Sequence, residues 1–182
     1  MEPANSTPQG VHPAIYDAFM WPFERAAVGA LRRRVAARAR GRVLEIGAGT
    51  GSQLRWYWPG ASVTALEPDA AMAERARRRA KRARAPVVVV EGSAEQLPFA
   101  DASFDAVVST FSLCTIGDPE AALQEVRRVL VPGGDLLLVE HVHLAWQPGR
   151  RLQSRFAPAW AAFAGGCRLD RDTLGLAERV GF

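Results

Sequence analysis

Residues 43–51 read Val43-Leu44-Glu45-Ile46-Gly47-Ala48-Gly49-Thr50-Gly51, and Glu67 closes the next apolar run, Ser62 to Glu67. A short, largely apolar run ending in three glycines at alternate positions predicts a buried strand that turns sharply. Glycine accepts backbone conformations and close approaches that a Cβ forbids. A carboxylate at the tip of the following strand can accept from both hydroxyls of a ribose, and such sheets bind ligands outside the carboxyl ends of their strands.

Working outward, Pro13 can open a short helix carrying Ile15, Phe19 and Met20. A second helix is predicted over Phe23 to Arg40, stopped by Gly41. Ser52 to Trp58 reads as a helix halted by Pro59-Gly60, and Asp69 can cap an arginine-rich helix reaching about Arg84. Val87 to Val90, entered through Pro86, is a third strand suited to an edge. Phe104 to Thr110 is the fourth, and Asp118-Pro119 opens a helix with Leu123, Val126 and Leu130 on one face. Pro132-Gly133-Gly134 leads to the fifth, Asp135 to Glu140. Strands apolar throughout and alternating with helices imply a parallel sheet covered on both faces, a doubly wound α/β domain.

The 182 residues make one domain with one core, 48% hydrophobic and 23% charged. No stretch reaches the roughly 20 apolar residues of a spanning helix, and Met1 to Gly10 lacks the parts of a secretory signal. Two cysteines, Cys114 and Cys167, exclude a disulfide framework and a four-cysteine zinc site, and imply a reducing, cytoplasmic setting. The net charge is +4, and Lys81 is the only lysine among 23 basic residues. The arginine runs Arg32 to Arg42 and Arg75 to Arg84 fall on predicted helices without interleaved aromatics, so they read as solvated faces and no nucleic-acid partner is expected.

On the glycine loop alone, a turn that binds nothing stays open. A nicotinamide site would need G-x-G-x-x-G, whereas the third glycine comes one residue early at Gly51 and Ser52 holds the later place. Further segments decide more. Val43 to Gly51, Ala65-Leu66-Glu67-Pro68, Gly92 to Phe99, Ser103 to Ser109 and Glu125 to Gly134 together resemble the class I S-adenosylmethionine-dependent methyltransferases of the ubiquinone/menaquinone type. A narrower resemblance, to animal membrane-anchored thiol methyltransferases and their bacterial relatives, rests on Leu113-Cys114-Thr115, Val139 to Val142 and Gly165-Gly166-Cys167.

The resemblance implies a Rossmann-like sheet in the order 3-2-1-4-5 and S-adenosylmethionine as cofactor. It divides the chain into N-terminal helices (1–41), a cofactor-binding core (42–140) and an acceptor-side cover with the last helix (141–182). Gly47, Ala48, Gly49 and Gly51 would pass beneath the methionine part of the cofactor, with Glu45 at the head of the loop. Glu67 would bind the ribose, Pro68 would lie against the adenine, and Ala94 and Glu95 would sit at its edge. Ser109, Thr110 and Phe111 would border the sulfonium, and Tyr16 would close over the cofactor. Relatives often carry aspartate where Ser93 stands, which weakens the bond to the adenine amino group. They also continue beyond Val180-Gly181-Phe182 into two further strands. That ending is read as a truncation, the other reading being a domain that leaves its fifth strand exposed.

Methyl transfer from a sulfonium is an in-line displacement that obliges no catalytic base. A thiol needs modest help to ionise, whereas an alcohol needs a true base. Glu140, His141 and Cys114 follow strand tips, and His141 is the candidate catalytic residue, against a structural, hydrogen-bonded histidine. His143 should alternate to the other face. His12, His141 and His143 lack the spacing of a closed metal site, and Cys114 and Cys167 read as small buried residues, so no metal is expected. The stripe Leu152, Phe156, Trp160 and Phe163 has helical spacing, bent or delayed by Pro158, and reads as core packing, as a lid over an apolar acceptor or as a patch that touches membrane. The expected activity is methyl transfer to a small, apolar molecule: a thiol first, then a lipid amine or a quinone ring. A nicotinamide-dependent oxidoreductase and a non-catalytic cofactor-binding fragment are the rivals. No stable membrane anchor is expected, and the oligomeric state reads as monomer or weak homodimer.

Overall fold

The computed structural model describes residues 12–141, 146–163 and 166–182, without the side chains of residues 162 and 163. His143 and the side chain of Phe163 therefore lie outside the described residues. Five strands form one parallel sheet: β1 (Arg42–Ile46), β2 (Ser62–Glu67), β3 (Val87–Glu91), β4 (Phe104–Thr110) and β5 (Leu130–Val139). Their order is β3-β2-β1-β4-β5, so the direction of winding reverses between β1 and β4, above which lies the crevice such sheets use. Pro86 enters β3 at the edge, where its missing N–H costs no ladder bond.

The central strands are largely apolar because both of their faces are covered, while at the β3 edge Val88 is exposed. Leu44, Ile46, Leu66 and Val107 pack on one face with Leu123 and Val126 of α4 (Pro119–Val129) and Ala177 and Val180 of α6 (Thr173–Val180). Val43, Val63, Ala65 and Val108 pack on the other with Ala36 of α2 (Gly29–Arg38), Leu54, Tyr57 and Ala76 of α3 (Ala70–Ala80). Asp69 caps α3 by accepting from Met72 N–H, and Asp118 caps α4 by accepting from Ala121 N–H, as their types and positions predict.

Four boundaries differ from the sequence reading, the first being that the arginine-rich helix α3 ends at Ala80 instead of about Arg84. The predicted Phe23 to Arg40 helix is α1 (Pro13–Phe23) continuing through a π-turn, Glu24–Val28, into α2. Pro22 offers no N–H to the helix ladder just before that turn, and a Cβ at Gly29 would overlap the Glu24 carbonyl. Ser52 to Trp58 yields only a 3₁₀ turn over Leu54–Trp56. β5 starts at Leu130, opposite Phe104, and Asp135 then pairs with Ala106, so Pro132-Gly133-Gly134 bulges out of the ladder instead of preceding it.

α5 (Gln147–Phe163) runs through Pro158, and core packing fails for part of its predicted stripe: Leu152 is 57% and Phe156 59% exposed. Its buried positions are the small residues Gly149 and Ala157. No helix among the described residues is long and apolar enough to cross a membrane.

Candidate active site at the carboxyl ends of the strands

The loop after β1 is pinned to β2 by the Ala48 N–H, which donates to the Leu66 carbonyl at 3.0 Å. Gly47, Gly49 and Gly51 adopt φ of +62°, +57° and +78°, the region where a Cβ is costly. A Cβ on Gly47 would overlap Cβ of Ser112, because the loop lies hard against the end of β4, whereas one on Gly49 would meet nothing within 4 Å. The loop is thus packed beneath and open above Gly49, the side from which a ligand can approach the backbone. Glu67 stands at that opening. Its Oε2 accepts from the Gly49 N–H at 2.7 Å and its Oε1 from the Asp69 N–H at 3.1 Å. Burial raises its pKa, and those two backbone bonds pull it back.

Beneath the loop, Glu45 is buried, and its Oε2 has no hydrogen-bond partner. Loss of solvent pushes its carboxyl up to about 7, offset in part by the Arg32 guanidinium and a hydrogen bond from Tyr57. A buried polar file extends from it: Thr110 Oγ1 donates to Gln53 Oε1 at 2.9 Å, and Gln53 Nε2 donates to Tyr57 Oη at 3.0 Å. Gln53, Tyr57 and Arg32 escaped the sequence reading. Arg32, expected on a solvated face, is buried and paired with Glu24 at 2.8 Å.

α1 lies over the glycine loop through Asp17, whose carboxylate pairs with Arg75 and, at 2.8 Å, with Arg79, and accepts from Thr50 Oγ1 at 2.7 Å. Arg79 also donates to the Thr50 carbonyl at 3.1 Å and to Ser52 Oγ at 2.9 Å. The face of α3 bearing Arg75 and Arg79 is therefore a clamp, which corrects its reading as solvated. Tyr16 sits beside Asp17, half-buried, and burial raises its hydroxyl pKa.

After β2, Pro68 is exposed next to Glu67, and the Gly92 N–H donates to the Glu67 carbonyl at 3.3 Å. Ser93 donates to Glu95, while Ala94 packs in the core with Leu66 and Leu97, so its side chain faces away from any ligand.

At the tip of β4, Ser109 and Thr110 are buried and Phe111 takes φ +57°, unusual for a bulky side chain. Glu140 explains the turn that follows. It accepts from Ser109 Oγ at 2.6 Å and from the N–H groups of Ser112, Leu113 and Cys114 at 3.1, 3.0 and 3.3 Å. A carboxylate so engaged is a clamp and not a spare base. His141 lies against Phe111, ring centroids 4.8 Å apart, and its Nδ1 is 3.4 Å from Cys167 Sγ. Cys167 Sγ is 3.4 Å from Cys114 Sγ. Its hydrogen bonds with Cys114 and with His141 lower the Cys167 pKa, and raise those of Cys114 and His141 in turn. Sequence spacing excluded a metal-ligand grouping; the fold assembles one, with donor atoms of Cys114, His141 and Cys167 all within 4.8 Å of one another.

Residues 44–138 match the family model described as "Methyltransferase domain". The chain is 38% identical over 140 residues to thiol S-methyltransferase TMT1B of Homo sapiens, covering 72% of this chain and 55% of that protein. It is 38% identical over 116 residues to demethylmenaquinone methyltransferase of Renibacterium salmoninarum, covering 63% and 47%. Among solved structures, an S-adenosylmethionine-dependent methyltransferase of Thermotoga maritima superposes with a TM-score of 0.68 at 28% identity, covering 93% of this chain and 77% of that one. The chain spans about half the length of the curated relatives it matches.

Proposed function

The chain belongs to the class I S-adenosylmethionine-dependent methyltransferases, and on that premise we propose that it methylates a small apolar acceptor, a thiol in first place. The observation that carries the cofactor reading is the Glu67 carboxylate at the mouth of a glycine loop whose outer side, at Gly49, is open. The unpartnered Oε2 of Glu45 beneath that loop is the second fit to a polar ligand.

Gly47, Ala48, Gly49 and Gly51 would hold the methionine part, with Glu45 below and Tyr16 closing above. Glu67 would turn from the Gly49 N–H to the ribose hydroxyls, Pro68 and the backbone of Ala94 and Glu95 would hold the adenine, and Ser109, Thr110 and Phe111 would line the reacting end. When bound, the cofactor supplies a carbon already activated by its sulfonium. The protein's own share is to orient the acceptor and keep water out. His141, against Phe111, would take the proton of a thiol acceptor.

The thiol preference is supported by the similarity to a thiol S-methyltransferase. A quinone ring is the second reading, supported by the similarity to demethylmenaquinone methyltransferase. The cytoplasmic setting belongs to the same proposal, supported by two free, buried cysteines.

Calorimetry with S-adenosylhomocysteine, and NAD as control, tests the reading. Binding of the first alone is expected, and Glu67→Ala with the fold intact should lose about tenfold or more in affinity, the worth of charged hydrogen bonds. Equal affinity in that variant refutes the ribose role. An acceptor screen in which thiols yield no S-adenosylhomocysteine while a quinone precursor does would replace the acceptor.

A further inference from the structure

Cys114, His141 and Cys167 come from three separate segments, after β4, after β5 and before α6. Their donor atoms converge: Sγ to Sγ is 3.4 Å, Cys167 Sγ to His141 Nδ1 is 3.4 Å, and all three lie within 4.8 Å of one another. Tetrahedral zinc, with bonds of about 2.3 Å to sulfur and about 2.0–2.1 Å to nitrogen, sets its donors about 3.5–3.8 Å apart. Two of the three separations are within a few tenths of an ångström of those values, and the third, up to 4.8 Å, must close by about 1 Å to seat one ion.

The backbone around the three is already fixed. Glu140 accepts from the Cys114 N–H, the Arg168 N–H donates to the Cys114 carbonyl at 2.8 Å, and the Phe111 ring lies against the His141 ring at a tilt of 36°. Both cysteines are buried, where unpaired charge is expensive. Cys114 and Cys167 release their protons to solvent as the cation binds, and two thiolates, one neutral imidazole and one divalent cation then sum to zero. Two cysteines alone would suit a disulfide, but an imidazole nitrogen 3.4 Å from the Cys167 sulfur adds a third donor that suits a shared cation.

We infer that Cys114, His141 and Cys167 form a binding site for a thiophilic divalent cation, zinc(II) in first place, beside the methyl-transfer end of the crevice. Three protein ligands leave a tetrahedral ion one further position, as in catalytic zinc sites. Resting on the thiol reading above, that position takes the acceptor as its thiolate. The acceptor's proton leaves to solvent on binding, and in the loaded chain the cation, not His141, favours the anion.

The test uses the whole chain, reduced, loaded with zinc(II) and dialysed, or titrated with cobalt(II). One zinc per chain is expected, together with near-ultraviolet thiolate-to-cobalt absorption and intense visible bands of a tetrahedral ion. Cys114→Ser and Cys167→Ser, each checked for folding by circular dichroism, should each lose stoichiometric zinc and weaken the thiolate band; His141→Ala should weaken affinity. Retention of zinc by both serine variants, absence of the thiolate band in the reduced chain, or spontaneous loss of both free thiols to a disulfide during loading would overturn the site.

Adding a small aromatic thiol to the cobalt form should shift its visible bands. If the site stands but thiols neither shift the spectrum nor become methylated, the thiol reading fails and the metal site survives. If thiols are methylated equally by chelator-treated and loaded chain, with no spectral response, the link between ion and acceptor fails alone.

Discussion

At Gly47 a Cβ would overlap Ser112, while at Gly49 it would enter open space, although both residues have positive φ. Gly47→Ala should therefore cost about 2 kcal/mol or more of stability, from the left-handed backbone and the clash together. Gly49→Ala should cost about 1 kcal/mol, from the backbone alone, yet lose most S-adenosylhomocysteine affinity, since its methyl occupies the approach side. Denaturant melts paired with calorimetry separate the two effects.

Glu45 offers a second contrast at this scale. Its folded pKa of about 7 lies above its ordinary value of 4.5, so between those values the folded chain keeps a proton that the unfolded chain has released. This group therefore contributes fully below about pH 4.5 and its contribution is lost as pH rises through about 7, a change of ~3 kcal/mol. Glu45→Gln should flatten stability over that window, read as the difference between the two pH profiles.

Among the elements, α1 is held over the glycine loop by one carboxylate. Asp17 serves Arg75, Arg79 and Thr50, so Asp17→Ala leaves two half-buried guanidinium groups without their anion. A loss of about 2 kcal/mol is expected, with faster hydrogen exchange confined to residues 13–28 and weaker cofactor binding. Unchanged exchange in α1 would show that the helix is held by other contacts. The π-turn between α1 and α2 belongs to the same device. It follows Pro22 and depends on Gly29, and it leads into the helix that carries Arg32 beneath the loop. The helix read from the sequence runs through Gly29 but begins at Phe23, and nothing local shows that α1 continues past Pro22 into it.

For the whole molecule, the crevice between β1 and β4 gathers groups from α1, the glycine loop, β2, β4 and the segment after β5. A ligand held by all of them stabilises the folded state alone. At a hundredfold excess over its dissociation constant, S-adenosylhomocysteine should add about 2.7 kcal/mol and raise the melting temperature by about 5–10 °C, with no shift from NAD. A scanning-fluorimetry melt checks this before any acceptor is known.

The strands, their parallel pairing, the edge position of β3 and the Gly47 to Gly51 loop with Glu67 were legible in the sequence, because periodicity, punctuation and local spacing encode them. The caps of α3 and α4 were legible for the same reason. The tertiary structure decided what depends on distant residues meeting: Arg32 buried with Glu24, Asp17 bridging α1 to α3, Glu140 spent on the turn after β4, and Leu152 and Phe156 left exposed on α5. It also decided the fate of Cys114, His141 and Cys167. They lie 27 and 26 positions apart along the chain, a spacing no local motif uses, and only packing the segments after β4 and β5 against the one before α6 brings two thiols and an imidazole to one point.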